Sequence, residues 1–243
     1  MVTVSIVSHL HGKLIPPLVE QLLRFDSVQR VIVTINIPEP ISLPPHTKLL
    51  VVHNSKPLGF GSNHNNAFKH CTSTYFCPLN PDITVYEDIF IPLVAELEKH
   101  NAHLAAPLIL SPSGDLEDSV RFFPTPCSLL KKAVFKSKGT YVVPQSGEVF
   151  CPEWVAGMFL VFKSQSYDDI GGFDERFYLY YEDVDICARL WKNDQKVIVV
   201  PSVSAIHEAQ RDSHNNFWHG RRHFVSMLRY FVKHLARLPR AEN

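Results

Sequence analysis

No CxxC pair occurs among the five cysteines, at positions 71, 77, 127, 151 and 187, and an odd number leaves at least one thiol unpaired. Neither a stapled mini-fold nor a zinc knuckle is suggested, and a reducing compartment fits the chain best. No run of about 18 apolar residues appears. The N-terminal MVTVSIVSHL has neither a basic leader nor a small-residue cleavage site, so a cytoplasmic chain is expected. Net charge is also missing: 24 Lys and Arg balance 24 Asp and Glu, which removes the bulk signal of a nucleic-acid binder. Glycine is sparse, with 10 in 243 residues. A dinucleotide fingerprint G-x-G-x-x-G fails in LGFGSNHNNAF because His64 stands where its third glycine would be.

What remains is an ordinary globular chain, 45% hydrophobic and long enough for one sizeable core, without repeats or low-complexity tracts. Apolar and β-branched runs over 2–8, 28–35, 48–53, 75–78 and 102–110 read as strands. Helical spacing of apolar residues over 14–25, 63–70 and 89–99 places helices between them. Strands alternating with helices predict an open α/β sheet with mostly parallel strands, in which ligands gather beyond the carboxyl ends of the strands. Residues 111–152 carry Pro112, Pro124, Pro126 and Pro144 and are expected to form a long, partly mobile connection. A second block follows, with a strand over 154–162, a turn-rich segment over 167–173, a helix over 182–192 and a strand over 196–200.

Three stretches could carry chemistry. In LGFGSNHNNAF a glycine turn leads into asparagines at a helix start, a place that offers amides to a nucleotide, although plain capping explains it equally well. In PLNPDITV a strand ends at Asn80-Pro81-Asp82, aiming a carboxylate past the sheet edge. One hard oxygen ligand of that kind, completed by water and phosphate, suits Mg²⁺ or Mn²⁺. In FYLYYEDVDICARLW, Glu182, Asp183 and Asp185 fall in a first helical turn, where capping alone would favour acids. A helix over 182–193 rises about 18 Å and a strand over 196–200 covers roughly 16 Å, so a returning strand would bring His207 near the helix start, beside Asp183 and Asp82.

Together GFGSNHNNAF, PLNPDITV, WVAGMFLVFKSQSYDDIGGFDERFYLYYEDVDICARL and the later His207 resemble glycosyltransferase family 2, inverting sugar-nucleotide enzymes of GT-A fold. The resemblance covers nearly the whole chain, and the third stretch carries most of it, through W-x-x-G, G-G-F-D-E-x-F and E-D-x-D in order. Within the family the chain is most similar to the rhamnosyltransferase-like group that builds bacterial surface polysaccharides. The resemblance implies one GT-A domain over 1–243, with a nucleotide-sugar-binding half (1–110), a flexible connection (111–153), an acceptor and catalytic half (154–210) and a basic C-terminal helix (211–243).

The resemblance also implies roles. Asp82 corresponds to the metal-bridging aspartate of a DxD element whose first position is here Asn80, and His207 to a further ligand of Mg²⁺ or Mn²⁺. Asp183 falls at the general base, beside Glu182. Ser8, His9, Asn36, Gly59, Asn65 and Asn80 fall at donor-nucleotide positions, with Asn36 where many relatives carry an Asp-Asn pair. Trp154 and Gly157 precede the acidic element as candidates for substrate contact, with core packing an equal alternative for the tryptophan. Arg211 could pair with a phosphate of the donor or of a lipid-linked acceptor. The helix dipole should keep Asp183 ionised and only modestly basic.

The implied donor is a dTDP- or UDP-linked sugar, with dTDP-rhamnose ahead of UDP-galactose, and the acceptor a hydroxyl of a glycan or lipid-diphosphate-linked sugar. From Arg211 onward seven Lys or Arg face only Asp212 and Glu242. The basic amphipathic helix there could close the fold or touch an anionic membrane at the inner face of the cell membrane. Two competing functions stay open: a catalytically degenerate sugar-nucleotide or glycan binder, suggested by Asn80, and a nucleotidyltransferase, which would carry a glycine-rich basic loop where this chain has SHLHGKL.

Overall fold

The computed structural model describes residues 1–135, 141, 143, 144, 146–208, 217–234, 238 and 239. Its first half alternates as expected. Strand β1 (Val2–Ser8) is followed by helix α1 (Ile15–Leu23), β2 (Val28–Ile35), β3 (Leu49–His53), α2 (Phe60–Phe68), β4 (Tyr75–Leu79) and β5 (Ile83–Thr84). Helix α3 (Phe90–Lys99) and β6 (Leu104–Leu110) complete it. The second half holds β7 (Val120–Arg121), α4 (Pro126–Phe135), β8 (Trp154–Val155), β9 (Val161–Lys163), α5 (Ser164–Asp169), α6 (Glu182–Lys192), β10 (Val197–His207) and α7 (Phe217–His234).

Eight strands form one sheet in the order β3-β2-β1-β4-β9-β6-β10-β5. Pairings of β1 with β2 and β4, of β2 with β3, and of β6 with β10 are parallel, while β9 lies antiparallel between β4 and β6. The chain leaves β1 toward β2 and β3, then returns to its other side with β4. That reversal opens a crevice beyond the carboxyl ends of β1 and β4. Side-chain alternation divides the core between the two faces. On β4, Tyr75, Cys77 and Leu79 join the cluster with α1 and α3, and Phe76 joins the cluster with α5, α6 and α7.

Several expectations needed revision. Helix α2 starts at Phe60 rather than at residue 63, because Gly59 takes an extended cap conformation and its carbonyl accepts from the Asn63 backbone (3.1 Å) and side chain (2.9 Å). The span 111–152 contains helix α4, whose start is signalled by Pro126 and by reciprocal bonds between Thr125 and Ser128. The single strand expected over 154–162 is broken into β8 and β9, since the Gly157 amide turns to the Asp183 carboxylate instead of a neighbouring strand. The segment expected as turn-rich begins as α5 and turns only at Gly171 and Gly172, both at positive φ. The strand expected over 196–200 runs on to His207, joining the parallel part of the sheet and then pairing with β5.

Helix α7 packs on the second face of the sheet through Tyr230 and His234, both buried. What fixes it there is Asp185, itself fully buried, whose carboxylate contacts Arg189 Nε (2.8 Å), Lys233 Nζ (2.6 Å) and His234 Nε2 (2.7 Å). Burial pushes the Asp185 pKa up, but His234, Arg189 and Lys233 outweigh it and hold the carboxyl below its ordinary range. Removing one partner of a buried charge cluster costs about 3–5 kcal/mol. Asp185→Ala is therefore expected to lower unfolding free energy by about that amount, measured by urea denaturation; a loss below about 1 kcal/mol would mean the cluster does not hold α7.

Candidate active site

A pocket of about 630 Å³ lies in the crevice, lined from the first half by His9, Asn36, Asn63, Asn80 and Asp82 and from the second by Gly157, Glu182 and Asp183. At its floor Asn36 follows β2 and is nearly fully buried. Its amide donates to the Leu58 carbonyl (3.0 Å) and meets His9 Nδ1 (2.8 Å), while its oxygen accepts from the Leu58 amide and Asn54, each at 2.8 Å. Asn54 also donates to Asn63 at 2.6 Å. A linked set of asparagines thus sets the wall without any charge.

The acidic wall is brought in by an unusual backbone. Tyr180 and Tyr181 both have left-handed φ, at 69° and 67°, a conformation that costs a non-glycine residue about 1 kcal/mol or more. The surroundings hold them there. Tyr178 carbonyl accepts from the Phe60 amide, Leu179 carbonyl from Ser226, and the Tyr181 ring packs on Tyr230. Gly59 belongs to this contact, because a Cβ there would lie 2.6 Å from the Tyr178 carbonyl oxygen. The strap therefore delivers Glu182 and Asp183 to the pocket as α6 begins.

The two carboxylates differ. Asp183 accepts from the Gly157 amide (3.1 Å) and the Val184 amide (2.8 Å). Glu182 is buried, and its Oε2 has no hydrogen-bond partner among the described residues. Burial first, and the Asp183 charge second, push Glu182 well above the carboxylate range, so it carries the proton and Asp183 the charge. Burial also raises Asp183, with the amides of Gly157 and Val184 opposing. The helix dipole alone predicted a modest base; desolvation makes it a stronger one.

Across the pocket, Asp82 follows β4. Its Oδ2 meets His207 Nε2 at 3.1 Å, and its Oδ1 is buried with no hydrogen-bond partner among the described residues. His207 Nδ1 contacts Glu117 at 2.6 Å. Burial works against a charged ring, but the bonds to Asp82 and Glu117 lift His207 to about 9, so both nitrogens carry protons at neutral pH. As placed, His207 braces Asp82 at the edge of the pocket. Among the described residues no group of three or more His, Cys, Asp or Glu is arranged to hold a metal ion. The unspent Asp82 Oδ1 still suits a hard cation that completes its shell with water and phosphate oxygens.

Other expected residues fall elsewhere. Ser8 lies behind the wall and donates to Glu39 (2.6 Å). Asn65 is turned away: it accepts from Tyr167 Oη (2.7 Å) and the Phe173 amide (2.9 Å) and donates to Phe173 O and Glu175, tying α2 to the Gly172 turn. Trp154 is core, its indole donating to Phe122 O (2.9 Å). Arg211 lies outside the described residues. Glu117 was missed because nothing local marks it, and it reaches His207 only through the turn bridging Leu110 and Leu116. Arg222 was missed because its helix was read for packing or membrane contact, although the helix returns to the pocket rim.

The family model described as Glycosyl transferase family 2 matches residues 42–158. Rhamnosyltransferase WbbL of Escherichia coli (strain K12) is 28% identical over 248 residues, covering 96% of this chain and 93% of that protein. N-acetylglucosaminyl-diphospho-decaprenol L-rhamnosyltransferase of Mycobacterium tuberculosis (strain CDC 1551 / Oshkosh) is 31% identical over 112 residues, covering 42% of this chain and 36% of that protein. Among solved structures, GalNAc-T7 with UDP, GalNAc and Mn²⁺ superposes with a TM-score of 0.69 at 15% identity, over 89% of this chain and 44% of that one. The mannosyltransferase PcManGT from Pyrobaculum calidifontis, with GDP-Man and Mn²⁺, gives 0.62 at 17% identity, over 96% and 64%. The chain thus spans less than two thirds of either structure, and at these identities the likeness is one of fold, which is GT-A. The chain is thus similar to glycosyltransferase family 2 over 42–158 and, along nearly its whole length, to a rhamnosyltransferase.

Proposed function

We propose that this glycosyltransferase moves a sugar, assigned first as rhamnose from dTDP-rhamnose and next as a UDP-linked hexose, to a hydroxyl of a glycan or lipid-diphosphate-linked acceptor in bacterial surface polysaccharide synthesis. The observation that carries the proposal is that Asp82 and Asp183, from opposite halves of the chain, line one pocket. His9, Asn36 and Asn80 meet the nucleotide side, with Ser8, Gly59 and Asn65 shaping the wall from behind. Asp82 Oδ1 would hold Mg²⁺ or Mn²⁺, which would supply charge neutralisation for the departing diphosphate. Asp183 takes the acceptor proton, held in place by the Gly157 amide, and attack from that side inverts the anomeric centre. Glu182 stays protonated beside it.

A general base supplies about 10²- to 10⁴-fold, so Asp183→Asn is expected to raise the barrier by at least about 3 kcal/mol with donor affinity nearly intact. The wild-type rate should fall with acid as Asp183 is protonated, at a pH above the ordinary carboxylate range. Glu182→Gln, which mimics the neutral acid, should keep that limb and most of the rate. These are read by following sugar release from dTDP-rhamnose and UDP-galactose with and without Mn²⁺. No turnover of any nucleotide sugar, or a rate lost in Glu182→Gln and kept in Asp183→Asn, would overturn the assignment.

The membrane part of the proposal rests on the outer side of α7. Phe224, Val225, Leu228 and Val232 are exposed there, on a helix that has no acidic residue. Among the described residues no helix is long and apolar enough to cross a membrane. An interfacial contact of this kind would bring a lipid-linked acceptor to the pocket rim. Vesicles containing anionic lipid should co-sediment the protein, and Phe224→Ser with Leu228→Ser should release it; equal sedimentation of both proteins would sink this part.

A further inference from the structure

The pocket presents a charge problem. Its lining brings together three carboxylates, Asp82, Glu182 and Asp183, yet the donor assigned above carries a diphosphate. Even with Glu182 protonated, two negative side chains face a ligand of the same sign. One divalent cation at Asp82 roughly offsets that carboxylate and part of the diphosphate, which leaves negative charge to be met. Among the described residues lining the pocket the sole Lys or Arg is Arg222.

We infer that Arg222 is the side chain that binds the donor diphosphate, supplied to the pocket rim by α7. The inference rests on the sugar-nucleotide reading of the same pocket. Its support is the state of the guanidinium. Arg222 lies over the Tyr178 ring, with its central carbon 4.5 Å from the ring centroid. Stacking on an aromatic face holds the plane of the group while leaving its N–H edge unspent. No carboxylate or carbonyl among the described residues accepts from it.

Arg229 also lies over a ring, that of Phe177, but it does not line the pocket, and three other arginines are spent on carboxylates. Arg121 is bound to Asp118, Arg176 to Asp174, and Arg189 to Asp185 and the carbonyls of Ile170 and Gly172. An arginine preset on a ring with free donors is suited to bidentate phosphate recognition at little ordering cost.

The position of Arg222 is set by groups already described. Ser226, one turn further along α7, donates to the Leu179 carbonyl at 2.9 Å, and Asp185 clamps the far end of the helix at Lys233 and His234. Tyr178, under the guanidinium, belongs to the strap whose carbonyl receives the Phe60 amide at 2.9 Å. The acidic run therefore acts twice: Glu182 and Asp183 face the pocket, and Asp185 anchors the helix that returns a cation to it.

The test is calorimetric titration of the full chain with UDP and dTDP in Mn²⁺, against uridine and thymidine, for wild type, Arg222→Ala and Arg222→Lys. Arg222→Ala should weaken the nucleoside diphosphates about tenfold or more while leaving the nucleosides unchanged, and Arg222→Lys should recover part of the loss. A merely structural arginine would weaken both classes equally, which would overturn the inference. So would undiminished diphosphate binding in Arg222→Ala, including the case where only the KM of a phosphate-bearing acceptor rises. A wild type that binds neither diphosphate would instead overturn the sugar-nucleotide reading beneath it.

Discussion

Gathering three carboxylates at one helix start, Glu182 and Asp185 buried and Asp183 half-buried at the pocket, is the constraint on which the rest of this molecule depends. Capping explains acids in a first turn only where water can reach them, and Glu182 and Asp185 lie out of its reach. Each group is satisfied differently. Glu182 keeps its proton, Asp183 is held by two backbone amides, and Asp185 is neutralised by cations from α6 and α7. The left-handed tyrosines, the closed approach at Gly59 and the docking of α7 are what that arrangement needs in order to form.

The sheet supplies the opposite wall. Because the chain reverses direction across β1, the ends of β1, β2 and β4 open onto one crevice, and Asp82 is carried to its edge by β4. Asp82 is a braced group as well: Glu117 holds His207, and His207 holds one oxygen of Asp82, leaving the other without a protein partner among the described residues. A carboxylate oriented from behind and open in front is what a cation-assisted departure of diphosphate requires. Catalytic power in this reading comes from preset geometry on both walls more than from any one reactive side chain.

Strands with continuous apolar runs were legible in the sequence, since burial on both faces leaves no ambiguity of period: residues 2–8 and 28–35 form the strands β1 and β2 as read. The helix at Glu182–Lys192 was equally clear from its acids and its apolar stripe. The antiparallel insertion of β9 was not legible, because pairing partners are chosen by register between distant segments and leave no local mark. Side-chain direction set the limit at the site. Asn63 and Asn65 are indistinguishable as letters, yet two positions along a helix turn one toward the pocket and the other toward the Gly172 turn. Trp154 likewise gave no sign of which face it would take, and Glu117 and Arg222 reach the site only through tertiary packing.

The central claim is that a base on one wall faces a diphosphate on the other across the sugar. Proton NMR of the first-formed product, recorded before any mutarotation or further transfer, tests it most directly through the anomeric coupling constant and shift. The account predicts a configuration opposite to that of the donor. Retention of the donor's configuration would contradict it, because no single attack from Asp183's side could produce that outcome.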